Sequence, residues 1–402
     1  MRILISAGEA SGEMYGAQLI EALQRLTADS ASAELRSAGQ PGAAVPTQAV
    51  PLEFFGVGGE RMRTAGCDTV VDTKDLAVVG IAEILGHLPK IYGRFRKLLA
   101  ETVRHRPDLA IVIDSPAFNW RVARQMHKRG IPVVYYVCPQ FWAWRQGRVR
   151  LLRKYITKAL VIFPFEEEFY RERGVDASFV GHPLAELRYP PGNRNDYAAE
   201  HKLDAAKPWI ILMPGSRVKE VRMNLPTMLE AAAKLGARYE FLLPVAPTLE
   251  RAFVQSLIRG SVQVRLVAEA LPALAHSRAG IIASGTATVE AAVLETPFVM
   301  VYRVSPLTYM LGRPRVKVSH FAMVNLIAGE EIVPELVQYD FTAEKVVSRL
   351  QEILPYGPAR EKMIAGLRRV KERLRGGQNL HPVEIAADAI LAMVRGAQAR
   401  VV

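Results

Sequence analysis

Trp209-Ile210-Ile211-Leu212-Met213-Pro214-Gly215-Ser216-Arg217 is an apolar, β-rich run that ends in a tight turn and passes into a helical pattern. A strand, a turn and a helix N-terminus in that order form the repeating unit of an α/β fold. They bring free backbone N–H groups and the positive end of a helix dipole to one place, which suits a phosphate. Gly215 lets the backbone approach closely, Ser216 can donate a hydroxyl, and Arg217 can make a bidentate charged contact. The plainer alternative is a βα turn capped by Ser216, with Arg217 on the surface.

The same alternation repeats on both sides. Apolar runs near 2–7, 54–57, 108–114, 132–138 and 158–163 are separated by helical patterns at about 12–26, 90–105, 118–129 and 147–155. Further strands are expected near 239–243, 262–266, 279–283 and 298–302, followed by a mostly helical C-terminal third broken at Pro355, Gly376-Gly377 and Pro382. This pattern predicts parallel sheets covered by helices on both faces, that is, Rossmann-like doubly wound domains. At 402 residues, half of them hydrophobic, the chain has material for two cores. The turn-rich Tyr189-Pro190-Pro191-Gly192-Asn193-Arg194-Asn195 marks a link between them. The expected domains are 1–187, with 377–402 packing back onto it through a last helix, and 188–376. Residues 27–51, rich in Ala, Ser, Pro and Gln, are expected to be a surface loop.

The formal charge of +12 favours anionic partners. Without the aromatic spacing of an RNA-binding signature, no nucleic acid is expected. No apolar stretch reaches the roughly 18 residues of a membrane span, and no signal peptide is expected, so the sequence reads as cytoplasmic. Cys67 and Cys138 suggest neither a disulfide framework nor a metal site. The eight His residues show no metal spacing and no acid cluster suits a phosphate-bound magnesium, so a reaction without metal or cofactor is expected.

A second turn makes the first more specific. Gly280-Ile281-Ile282-Ala283 leads into Ser284-Gly285-Thr286, and Glu290 follows one helical turn later. Ligands of open α/β sheets collect at the carboxyl ends of strands, where both turns belong. A carboxylate behind a phosphate-binding turn can accept both hydroxyls of a ribose, so the two turns together suggest a nucleotide. In the first half, Gly8-Glu9-Ala10-Ser11-Gly12-Glu13 follows the first strand but lacks the dinucleotide spacing, and its acids would repel a pyrophosphate. It suits a sugar or an acceptor hydroxyl instead. The strand Leu109-Ala110-Ile111-Val112-Ile113 delivers Asp114 to its carboxyl end, as a general base or as a helix cap.

Ile84, Leu88, Ile91, Phe95 and Leu98 recur at helical spacing beside Lys90, Arg94, Arg96 and Lys97, with Pro89 expected to divide the segment. Such a stripe is core, or, where exposed, a surface for an anionic membrane or a lipid phosphate. Trp142-Ala143-Trp144-Arg145 either lines the ligand site or anchors packing. His182 reads as a structural turn residue.

Taken in order, Gly8 to Gly12, Ala77-Val78-Val79-Gly80, Asp114 to Asn119, Trp142 to Gln146, Pro214 to Arg217 and Ser284 to Thr286 resemble the lipid-A-disaccharide synthase family over almost the full length. The resemblance implies a two-domain B-type glycosyltransferase with a cleft between its domains. Its substrates would be UDP-2,3-diacylglucosamine and 2,3-diacylglucosamine 1-phosphate, joined with inversion and without a cofactor. It also implies peripheral association with the inner membrane and allows a homodimer. Carried to matching positions, Asp114 is the candidate base, with Arg217 and Glu290 at the nucleotide and Asn325 beside it. From the residues themselves, Glu9 is the other candidate base, and Gly215, Ser216, Ser284, Gly285 and Thr286 are expected at the nucleotide. Ser11, Asn119, Trp144, Arg145, Ile84, Leu88 and Phe95 are expected at the acceptor or lipid. The chain departs from the family where Ala117 replaces a second acid, so Asp114 or Glu9 is expected to act alone. It also departs at Glu13, where the family has Asp, and in residues 27–51.

Overall fold

Runs such as Ile3-Leu4-Ile5 and Val133-Val134-Tyr135-Tyr136 are apolar at every position because both faces of a parallel sheet are covered, and all seven residues are fully buried. The computed structural model describes residues 1–38, 51–76, 81–187, 189–258, 260, 263–313, 316, 318–376 and 381–398. The chain forms two compact units, Met1–Pro183 with Gln378–Val402, and Leu184–Gly377.

The first unit contains β1 (Arg2–Ala7), β2 (Glu53–Gly58), β3 (Cys67–Asp72), β4 (Leu109–Ile113), β5 (Val133–Tyr136), β6 (Lys158–Val161) and β7 (Ala177–Phe179). They form one parallel sheet in the order β3-β2-β1-β4-β5-β6-β7. The second contains β8 (Trp209–Met213), β9 (Glu240–Pro244), β10 (Val264–Val267), β11 (Ala279–Ala283), β12 (Phe298–Tyr302) and β13 (Glu335–Val337), parallel in the order β10-β9-β8-β11-β12-β13. In each sheet the strand order reverses once, between β1 and β4 and between β8 and β11. Those are the positions where a doubly wound sheet binds ligands.

The strands absent from the sequence reading, β3, β7 and β13, all lie at sheet edges. β3 carries Asp68 and Asp72, and the other two are three residues long, so none gives an apolar run. Two other expectations are corrected. Helix Ala10–Ala38 continues through residues 27–38, which were expected to be loop; Ala, Glu, Leu and Arg there sustain a helix, and the first breakers are Gly39 and Pro41. Residues 39–50 lie outside the described residues. Helix Ile81–His105 runs through Pro89 without dividing, since one proline removes a single N–H donor from a helix otherwise held by packing.

The last helix, Pro382–Gln398, packs on Ala10–Ala38, with Arg25 and Glu384 paired at 2.6 Å. Its buried residues Val383, Ala386, Ala387, Ile390 and Leu391 complete the first unit.

Candidate functional site

In the first unit, Ala7 of β1 pairs with Ile113 of β4, so the turns that follow these strands meet. A Cβ on Gly8 would lie 2.5 Å from Ser115 Oγ; glycine is what lets the two turns touch. Asp114 and Ser115 both have left-handed backbone, φ 47° and 45°, which strains Ser115 in particular. The Asp114 carbonyl accepts from Tyr135 Oη at 2.8 Å and from Asn119 Nδ2 at 2.9 Å. Burial pushes the Asp114 carboxyl up to about 6, the charge of Glu9 adds to the rise, and the Ser115 N–H opposes it. The acid is partly buried, while Glu9 and Ser11 are exposed. Strand adjacency thus places Glu9, after β1, near enough for its charge to reach Asp114, after β4, where Ala117 supplies none. Ser115, rather than Asp114, is the N-cap of helix Pro116–His127.

Asn119 is corrected as an acceptor contact. It is fully buried; its Oδ1 accepts from Ser6 Oγ at 2.7 Å, and its Nδ2 faces the carbonyls of Ser6, Ile113 and Asp114 at 3.1, 2.8 and 2.9 Å. It clamps β1 to β4. Glu13 is also engaged, accepting from the Arg61 N–H at 2.9 Å at the head of helix Glu60–Thr64.

In the second unit, Met213 of β8 pairs with Ile282 of β11, which brings the two glycine turns to the strand-order reversal. Gly215 has φ 120°, and a Cβ there would lie 2.5 Å from Glu220 Oε2, so glycine is demanded by backbone conformation and by this neighbour. Glu220 reaches back from helix Val218–Leu235, accepting from the N–H groups of Ser216 and Arg217 at 3.1 and 3.3 Å and from Arg217 Nη1 at 2.8 Å. A carboxylate thus occupies donors suited to a phosphate. The Arg217 side chain is nonetheless 76% exposed. Asn224, fully buried, donates to the Pro214 carbonyl at 2.9 Å and accepts from the Arg303 N–H at 3.1 Å, fixing the turn to the end of β12.

Gly285, φ 149°, is the N-cap of helix Thr286–Val293, with no side-chain cap. Gly285 and Thr286 are exposed, and the first-turn N–H groups of such a helix have no intrahelical acceptor. Ser284 Oγ donates to the Phe321 carbonyl at 2.9 Å. Glu290 is partly buried, which pushes its carboxyl upward.

Asn325 is corrected as a nucleotide contact. It lies in helix Met323–Ala328, fully buried. Its Nδ2 donates to Val333 O at 2.9 Å and Glu335 Oε1 at 2.8 Å, and its Oδ1 accepts from Ile332 and Val333 N–H at 2.8 and 3.0 Å. Every donor and acceptor of the amide is used. Its partner Glu335 also holds the N–H groups of Phe321 and Ala322, beside the carbonyl that receives Ser284.

Beyond β5, Trp142 is buried and donates to Glu166 Oε1 at 2.8 Å. Glu166, fully buried, also accepts from the N–H groups of Ile162 and Phe163; burial pushes its carboxyl up to about 7 against these bonds. Trp142 is thus a packing anchor, whereas Trp144 is 48% exposed, with the Arg145 guanidinium 3.9 Å from its ring. Phe95, expected at the lipid, is partly buried and packs against the core, edge-on to Phe118 at 5.8 Å. The side chains of Ile84 and Leu88, and residues 77–80, lie outside the described residues. His182 is buried, which depresses its pKa to about 3. Among the described residues no cluster of His, Cys, Asp and Glu could hold a metal.

Residues 3–389 match the family model described as lipid-A-disaccharide synthetase. The lipid-A-disaccharide synthase of Koribacter versatilis is 51% identical over 399 residues, covering 98% of this chain and 99% of the relative. The chain belongs to the lipid-A-disaccharide synthetase family. Its relative from Acidobacterium capsulatum, with the same name, is 46% identical over 92% of this chain and 91% of its own length. Among solved structures, a calicheamicin glycosyltransferase aligns with TM-score 0.58 at 15% identity, covering 98% of each chain. The UDP-GlcNAc 2-epimerase of Neisseria meningitidis, bound to UDP-GlcNAc, aligns at 0.56 and 13%, covering 98% of this chain and all of its own. Acinetobacter baumannii MurG aligns at 0.52 and 13%, covering 97% and 99%. At such identities the likeness carries the fold, and the fold is that of the B-type glycosyltransferases.

Four positions that shape these turns were not foreseen from the sequence: Tyr135, Glu166, Glu220 and Asn224. Glu166 and Glu220 had a visible signal, since an acid three residues after the residue that opens a helix is the capping-box spacing.

Proposed function

We propose that this protein joins UDP-2,3-diacylglucosamine to 2,3-diacylglucosamine 1-phosphate, giving the β-1,6-linked disaccharide phosphate of lipid A and UDP. The 51% identity to a lipid-A-disaccharide synthase across nearly both whole chains carries this reading. Asp114 removes the proton from the acceptor 6-hydroxyl. The resulting oxygen attacks the donor anomeric carbon from the face opposite UDP, the bond to the diphosphate breaks, and UDP leaves with inversion. A carboxyl raised towards neutrality is a stronger base than an ordinary one and remains mostly ionised at pH 7.

The second unit supplies the nucleotide end in this proposal. Arg217, the 214–217 turn and the exposed Gly285 and Thr286 compensate the diphosphate, and Glu290 accepts the ribose hydroxyls. The first unit takes the acceptor, with Ser11, Trp144 and Arg145 at its edge. No helix among the described residues is long and apolar enough to cross a membrane; the +12 charge and two acylated substrates support peripheral association with the inner membrane.

Epimerases share this fold, so the deciding assay offers both diacyl sugars and follows UDP and disaccharide by mass spectrometry. Disaccharide and UDP in equal amounts are expected. No disaccharide under any condition would remove the assignment, and an altered donor sugar without transfer would make the protein an epimerase. Asp114→Asn should lower turnover by about 10²–10⁴ at saturating substrate.

A further inference from the structure

The peptide unit between Asp114 and Ser115 is gripped at its carbonyl. That carbonyl accepts from Tyr135 Oη at 2.8 Å and Asn119 Nδ2 at 2.9 Å. The N–H on its other edge, from Ser115, acts on the Asp114 carboxyl, opposing the rise of its pKa. A peptide is planar, so a partner that fixes the carbonyl also fixes the N–H on the opposite edge. Tyr135 comes from β5, where it pairs with Val112 of β4, two residues before Asp114. Its ring is fully buried, and burial, with the charges of Cys138, Asp114 and Glu9 added, pushes its hydroxyl well above the usual phenol range, so it remains a donor.

We propose that Tyr135 is a positioning residue for glycosyl transfer: its hydroxyl, through the Asp114–Ser115 peptide, holds the Ser115 N–H against the Asp114 carboxylate and so aims that carboxylate. The proposal rests on Asp114 being the base. Asn119 shares the carbonyl but divides its amide among the strand ends, whereas the Tyr135 hydroxyl donates to this carbonyl. The left-handed backbone at two consecutive non-glycine residues gives the turn a reason to relax once a grip is lost. The charged and polar groups facing the carboxylate are Glu9 from the β1 turn and the Ser115 N–H of its own turn; both remain in Tyr135→Phe, but the second is no longer held.

Tyr135→Phe keeps the ring and removes only the hydroxyl. The expected result is kcat lowered roughly tenfold, part of the 10²–10⁴ a positioned base supplies, with KM for both substrates within about twofold. The acid limb of the pH–rate profile should move up, because the N–H that opposes the raised carboxyl pKa is released. In an Asp114→Asn background the same substitution should cost nothing further, since its effect passes through the carboxylate. Wild-type kcat and acid limb in Tyr135→Phe would overturn the proposal, as would an equal loss in the Asp114→Asn background or a chain that no longer folds by circular dichroism; the latter two would assign the hydroxyl to the fold. Full turnover by Asp114→Asn alone would instead remove the base itself, a different failure.

Discussion

The two units share a strand order and differ in what stands where it reverses. Between β1 and β4 the turns hold acids, and the left-handed positions are the non-glycine residues Asp114 and Ser115, kept there by buried donors from Tyr135 and Asn119. Between β8 and β11 the positive-φ positions are Gly215 and Gly285, and the exposed groups are Arg217 and helix N-termini. One topology thus carries opposite electrostatics. The first arrangement holds a carboxylate on strained backbone, and the second turns on unstrained glycine; in the proposed reaction this separates a proton acceptor from an anion site.

The largest test of this contrast is pH. Asp114 is raised from 3.8 to about 6 and Glu166 from 4.5 to about 7. Below the unfolded pKa values both states hold these protons; as pH rises towards the folded values, the unfolded chain loses them first. The first unit should therefore lose stability between about pH 4 and 7, with the Asp114 share on the order of 3 kcal/mol, while turnover rises through about pH 6 as Asp114 ionises. Stability of Asp114→Asn, from denaturant unfolding, should fall less steeply over pH 4–6; an unchanged fall would mean that folding does not raise the Asp114 carboxyl.

Gly8→Ala comes next. Its Cβ would press on Ser115 Oγ at 2.5 Å, and a shift of about 1 Å in the Asp114 turn should lower kcat by roughly 10² with UDP affinity unchanged by calorimetry. Gly215→Ala is the mirror test: the strained φ and the contact with Glu220 should weaken UDP roughly tenfold, and an effect confined to kcat would break the contrast. The smallest effect is expected from Glu220→Gln. Removing the charge that competes for the Ser216 and Arg217 donors should tighten UDP by a few-fold, and weaker UDP binding would show that Glu220 shapes the turn more than it competes.

Much of the fold was legible because each buried parallel strand is an unbroken apolar run, and a turn after such a run has a known place in the sheet. Asp114, the 214–217 turn and the 284–290 segment could be located for that reason. Asn119 and Asn325 were misassigned because a motif gives the position of an amide but not the direction it faces; both turn inward to backbone groups. Tyr135 was invisible for a different reason. Within Val133-Val134-Tyr135-Tyr136 it looks like core, and its hydroxyl acquires a role only once β4 and β5 are known to be neighbours. Residues 27–38 were read from composition, where the absence of glycine and proline was the better guide.

The packing of Pro382–Gln398 on Ala10–Ala38 has a consequence for how the chain is made. On the ribosome, the opening helix must wait while the whole second unit is translated, roughly ten to forty seconds at bacterial rates, before its covering partner emerges. A message cut short after residue 377 would release a protein whose second unit is complete and whose first still shows an apolar helix face, an obvious mark for chaperones and proteases.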